Sequence, residues 1–258
     1  MPADITVLEQ LRDAIHRHVS PRRHTVLLVA LVALLGMRAL FGDARIGQLV
    51  AFNLALLSLL VVSLYTIQVD ELAGERETLL AQRRRQSIIA WLLIVPALAD
   101  RLAIMFMPSR PVVIAGTNFW LLFFSFITWS ELRAVVKQRE VTGETIAMSI
   151  SVYLLLGLTW ACLYIVLYYL QPNAFNFGGS SSQLKVQQAF PIFTYFSLTT
   201  LSTIGFGDIT PVSLQARYAA VAEGITGQLY FVILVARLVG LYISRTANQD
   251  IKRQSRPS

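Results

Sequence analysis

Apolar stretches recur along the chain at residues 25–40, 46–67, 88–107, 112–129, 146–170 and 214–243, separated by short polar connections. A helix needs roughly 17 to 25 apolar residues to cross a bilayer core, and every segment but the first approaches or exceeds that length. The first is marginal unless it continues into Phe41. One further apolar run, residues 189–202, is too brief: at about 1.5 Å per residue it covers roughly 20 Å, so it must enter the membrane and return. The pattern predicts an all-α integral membrane protein with six transmembrane helices and a re-entrant helix between the last two.

Composition agrees: 55% hydrophobic and 14% charged residues describe a chain whose solvent is mostly lipid, which excludes a single soluble domain. The net charge of +7 suggests nucleic acid at first sight. The basic residues, however, stand between the apolar runs, where the positive-inside rule puts them, so the partner is the lipid bilayer and not nucleic acid. Arg12, Arg17, Arg22, Arg23, Arg76, Arg83, Arg84, Arg85, Arg133, Lys137, Arg139, Arg245, Lys252, Arg253 and Arg256 fall on one side. Only Arg45, Arg110, Lys185 and Arg217 fall opposite, which makes both termini cytoplasmic in a multi-pass plasma-membrane protein.

Residues 1–24 set Leu8, Leu11 and Ile15 on one helical face among arginines, as in a basic amphipathic helix on the cytoplasmic membrane surface. His16, His18 and His24 have no acidic or cysteine partner at ligand spacing, so they read as a solvated basic face, not a metal site. Cys162 is the lone cysteine and lies inside an apolar run, which excludes an intrachain disulfide framework. Asp100 and Arg101 in the third segment and Asn53 in the second read as structural polar contacts between helices, and Pro96 as a kink. Residues 131–144 read as an amphipathic cytoplasmic linker helix, which either pushes on the next apolar segments or simply lies on the inner surface. Tyr153, Trp160, Tyr164, Tyr168 and Tyr169 fit an interfacial aromatic belt.

The stretch with the most specific chemistry is Thr203, Ile204, Gly205, Phe206, Gly207, Asp208, set between a hydroxyl-rich run and the last apolar segment. Gly205 and Gly207 can take positive φ, and alternating such conformations with ordinary ones turns a strand's carbonyls into a single inward column. The stretch resembles the selectivity filter of the six-segment tetrameric potassium channels, whose pattern is Thr, Val or Ile, Gly, Tyr or Phe, Gly, Asp. The resemblance is firm over about residues 145–245 and architectural before that. It implies a homotetrameric potassium channel in which the carbonyls of Thr203, Ile204, Gly205, Phe206 and Gly207 hold dehydrated K+, with no other metal or cofactor. Asp208 would close the filter as an acidic ring or as a turn cap. Phe206 departs from the commoner tyrosine and removes a hydroxyl that braces the filter in many relatives, which puts filter rigidity in doubt.

Residues 25–130 then take the place of a voltage-sensing domain, residues 145–244 form a pore domain, and residues 245–258 are a short tail with no room for a nucleotide- or calcium-sensing module. The fourth segment has no charge, so conduction should depend weakly on voltage. Pro191 is expected in the first turn of the re-entrant helix, and its hydroxyls, among them Thr194, Ser197, Thr199 and Thr200, suit burial behind the filter. Glu223 must be protonated, paired or buried, and a hydrogen bond to that helix is favoured over direct ion binding. Gly227, twenty-two residues after Gly205, is a hinge by resemblance or a close-packing position by chemistry. Phe231 and Val235 would share the face lining the inner cavity, and Arg237 would snorkel to the interface. A less selective cation channel and a secondary transporter are the alternatives; no inverted repeat or catalytic constellation supports a transporter or an enzyme.

Overall fold

The computed structural model describes residues 23–41, 95, 99, 109–138, 140–171, 173–178, 184 and 186–254, with backbone alone at 37–41, 187 and 244–254. The chain divides into two compact units, Met1–Trp91 and Leu92–Ser258. In the first unit, helix α1 spans Arg23–Phe41, so the first apolar segment does continue into Phe41. It buries Leu27, Leu31 and Leu34, one face at helical spacing. Residues 1–22, the second apolar segment and, apart from Val95 and Ala99, the third lie outside the described residues, as do Asn53, Pro96, Asp100 and Arg101.

The second unit contains three helices long and apolar enough to cross a membrane, at Arg110–Lys137 (α2), Gly143–Leu170 (α3) and Leu214–Ile243. Helix α2 starts with Pro111 in its first turn, where the missing amide costs nothing. It runs unbroken to Lys137, because no Gly or Pro interrupts Glu131 to Lys137 and Lys137 complements the helix dipole. Residues 131–137, expected in a separate linker helix, are therefore its last two turns; Gln138 is extended and the chain turns before α3. Thr142 caps α3: its hydroxyl accepts from the Thr145 amide at 3.3 Å, and the Thr145 hydroxyl accepts from the Thr142 amide at 3.3 Å. The two helices pack against each other, burying Trp120, Phe123, Phe124 and Ile127 on α2 and Leu155, Leu158 and Cys162 on α3, and Phe124 also meets Phe190 at 6.5 Å between ring centroids.

Between α3 and residues 203–208 lie the short strand β1 (Phe175–Asn176) and the helix α4 (Val186–Leu201). Helix α4 starts earlier than expected, so Pro191 is inside it and forgoes the bond to the Gln187 carbonyl. Its sixteen residues cover about 24 Å, still short of a bilayer core. After residue 208, β2 (Thr210–Pro211) pairs antiparallel with β1, Phe175 opposite Pro211. The last helix, α5, spans Leu214–Gln254 and carries the helical backbone past residue 243, where a tail was expected.

Helix α5 has two unlike faces. Glu223, Gly227, Tyr230, Leu234 and Arg237 recur at helical spacing and form its inward stripe. Tyr230 donates to the Ser149 carbonyl at 2.7 Å, Leu234 packs on Val135, Met148 and Val152, and the Arg237 guanidinium donates to the carbonyls of Val136 and, at 2.9 Å, Gln138. Arg237 thus caps the end of α2 and does not simply snorkel. The opposite face is bare: 6% of the α5 apolar window is buried, against 56% in α3.

Two glycines set how closely the helices approach α4. A Cβ on Gly157 would lie 2.6 Å from Leu198 Cδ2, and one on Gly227 would lie 2.5 Å from the Leu201 carbonyl oxygen. Gly227 is thereby a close-packing position, since the obstacle is backbone and cannot rotate away. Gly227→Ala is expected to destabilise the protein by about 1–3 kcal/mol through overpacking. Thermal unfolding in detergent should show the loss, while Gly143→Ala, where a Cβ meets nothing within 4 Å, should leave the midpoint unchanged.

Candidate functional site

The segment after α4 leaves helical geometry at once. Thr203, Gly205 and Gly207 have φ of 62°, 52° and 81°, so left-handed residues alternate with Ile204 and Phe206 between them. That alternation is the one a column of carbonyls requires. Glycine allows it freely, whereas Thr203, a β-branched residue, stands there under strain. The turn is held by α4 itself: the Thr203 amide donates to the Thr200 carbonyl at 3.0 Å, and the amides of Ile204 and Gly205 both donate to the Thr199 carbonyl, at 2.9 and 3.1 Å. The amides on this side of the strand are satisfied by the end of α4.

Thr199 and Thr200 point their hydroxyls back to the Phe196 carbonyl, at 2.9 and 2.8 Å, and support the site through α4. The other side of the segment is open: Ile204 and Phe206 keep 58% and 67% of their surface. Phe206 is braced on one side, where its ring lies parallel to Tyr195, centroids 6.1 Å apart and planes 4° off. The Tyr195 hydroxyl, in turn, faces the Asp208 carboxylate. The bracing expected to be lost with a phenylalanine at 206 is supplied from α4. Past the segment, the Val212 and Ser213 amides donate to the Ala174 carbonyl at 2.8 and 3.2 Å, and a Cβ on Gly178 would come 3.2 Å from the Asp208 carbonyl oxygen. The loop between α3 and α4 is thereby fastened to the exit of the segment.

Behind α4 the three helices meet at Glu223, which is fully buried. Tyr164 of α3 donates to one carboxyl oxygen at 2.5 Å, and Ser197 of α4 is bonded to the other and also lies 2.7 Å from the Gly157 carbonyl. The Tyr164 ring is the centre of an aromatic cluster, 5.0 Å from Phe196, 5.7 Å from Phe175 and 6.4 Å from Phe193. Tyr164 is therefore a core residue and not part of an interfacial belt. Tyr168 is also engaged, its hydroxyl accepting from the Leu184 amide at 2.9 Å.

The residues singled out in the sequence fall into two groups. Thr199, Thr200, Glu223 and Gly227 gather behind residues 203–208, whereas Phe231 and Val235 lie on the bare face of α5, toward its later turns. Tyr195 and Gly157 belong to the site and were not distinguished beforehand, and Tyr164 was read only as part of an aromatic belt. Gly157 and Tyr164 stand seven residues apart, on one face of α3, which is the signal that points at a common neighbour. Among the described residues no group of three or more His, Cys, Asp or Glu side chains could hold a metal ion.

Residues 152–244 match the family model described as an ion channel, a span running from α3 through α4 and the filter-like segment to α5. No curated protein and no solved structure matches the chain. The match supports an ion channel, which is not a catalytic class, and the apolar helices suit a lipid bilayer.

The bracing of Phe206 is separable into ring and hydroxyl. Tyr195→Phe keeps the stack and loses the hydroxyl that faces Asp208; Tyr195→Ala loses both. Amide hydrogen exchange over residues 204–208 should quicken in that order, and equal protection in all three proteins would refute the bracing role.

Proposed function

We propose that the protein is a potassium-selective channel, a homotetramer whose copies each contribute one strand of residues 203–207 to a shared filter. What carries the reading is the alternation of φ at Thr203, Gly205 and Gly207 in a segment that sits within an ion-channel match and leaves its other side open. Irregular backbone at membrane depth is tolerated only where it is buried in protein or lines a water-filled path. Three further copies would enclose it, each ring of carbonyls would replace the hydration shell of K+, and Asp208 would concentrate cations at the outer mouth. The bare face of α5, with Phe231 and Val235, would line the inner cavity and meet the neighbouring copies.

The same reading makes conduction weakly dependent on voltage. Moving one elementary charge through the field is worth about 2.3 kcal/mol per 100 mV. Helix α2 has no charged residue from Pro111 to Ser130. Its cations stand at its ends: Arg133 stacks 4.8 Å over Trp129, and Lys137 closes the last turn. Neither can cross much of the field.

In a bilayer with unequal potassium and sodium, the reversal potential of the reconstituted protein should follow potassium. Gly205→Ala should abolish this, since alanine at φ 52° costs roughly 1–2 kcal/mol in every copy. A sodium-following potential, or one indifferent between the two ions, would favour a less selective cation channel. Voltage steps from about −100 to +100 mV in symmetrical potassium should show a nearly constant open probability; gating by two or more charges per subunit would contradict the assignment of α2.

A further inference from the structure

The hydrogen bonds around Glu223 can be counted, and the count is one proton short. Three close oxygen pairs meet there: Tyr164 hydroxyl with one carboxyl oxygen, Ser197 hydroxyl with the other, and Ser197 hydroxyl with the Gly157 carbonyl. A carbonyl only accepts, an ionised carboxylate only accepts, and each hydroxyl has a single hydrogen to give. Tyr164 and Ser197 therefore supply two protons for three contacts. If Ser197 gives its hydrogen to Gly157, its contact with Glu223 pairs two acceptors unless the carboxyl itself is the donor.

We propose that Glu223 stands as the neutral carboxylic acid, giving its proton to Ser197, and that in this form it is a positioning residue for residues 203–205. The protonation state rests on these three oxygen contacts; the consequence for ion selection rests on the channel reading above. The surroundings agree with a neutral group. Tyr153 and Tyr164 are the titratable residues of α3 that face it, and α4 presents Ser197 and no charged side chain. The nearest basic residue along α5, Arg217, is engaged with the Pro211 carbonyl. An ionised carboxylate held by two neutral hydroxyls at membrane depth would lack the cation such a charge requires.

The positioning runs through short, named links. Glu223 ties α5 to Ser197, Ser197 ties α4 to the Gly157 carbonyl of α3, and two residues beyond Ser197 the Thr199 carbonyl takes the amides of Ile204 and Gly205. Ionisation removes the donor, so Ser197 must abandon either Gly157 or Glu223, and α4 loses its anchor to one helix. The neutral form is the one that holds. Protection of the segment is thus present at low and neutral pH and lost as the carboxyl titrates on raising it.

Two measurements on the full-length protein in lipid test this without depending on conduction. Infrared spectra at neutral pH should contain a protonated-carboxyl C=O band that Glu223→Gln removes; its absence from the unmutated protein would overturn the assignment. Hydrogen exchange should give Ile204 and Gly205 protection factors that fall about tenfold (about 1.4 kcal/mol) at alkaline pH. Glu223→Gln, which can still donate to Ser197 and accept from Tyr164, should keep the high protection and lose the pH dependence, while Glu223→Ala should be low throughout. An unchanged alkaline fall in Glu223→Gln, or a Gln variant as poorly protected as the Ala one, would overturn the positioning role. If no potassium-selective current is found in the unmutated protein, the channel reading fails and these two outcomes still decide the proton and the anchor.

Discussion

Backbone polar groups within a bilayer have no water to turn to, and the segment from Thr203 to Gly207 is neither helix nor paired strand. Its amides at 203–205 are satisfied by folding back on the last carbonyls of α4. That solution fixes the segment to a helix too short to cross the membrane. Within the second unit α3 and α5 approach the short helix through Gly157 and Gly227, and β1 with β2 ties the loop after α3 to the residues after Asp208.

Helix α5 is where the two demands on the chain meet. Its inward stripe from Glu223 to Arg237 grips α2, α3 and α4 through hydrogen bonds to Ser197, Tyr164, the Ser149 carbonyl and the end of α2. Polar contacts of this kind hold helices together where lipid offers no hydrophobic drive. Its other face carries Ile225, Leu229, Phe231, Val232 and Val235, all exposed. Because Arg237 bonds the carbonyls that end α2, a displacement of the last turns of α5 cannot occur without breaking or carrying that contact.

Much of this was legible in the residues. The glycines at 205 and 207 announced their conformation, the length of the apolar runs marked α2, α3 and α5 as long enough to cross a membrane, and the brevity of the run before residue 203 marked α4 as too short to do so. Positive φ at Thr203 was not legible, because intrinsic preference argues against it and only the bonds to Thr199 and Thr200 impose it. The aromatic residues of α3 were ambiguous for another reason: composition cannot separate a ring at the lipid interface from one that donates to a buried acid. Gly227 could be read as hinge or packing, and the Leu201 carbonyl against it shows the packing. The linker helix failed to appear because the strong helix formers from Glu131 to Lys137 simply prolong α2.

The central claim is that the open side of residues 203–207 and the bare face of α5 are closed by three further copies of the same chain. The most direct measurement is the subunit count of the protein extracted in mild detergent, by native mass spectrometry or light scattering. The account requires a tetramer; a monodisperse monomer or dimer that still conducts potassium would contradict it.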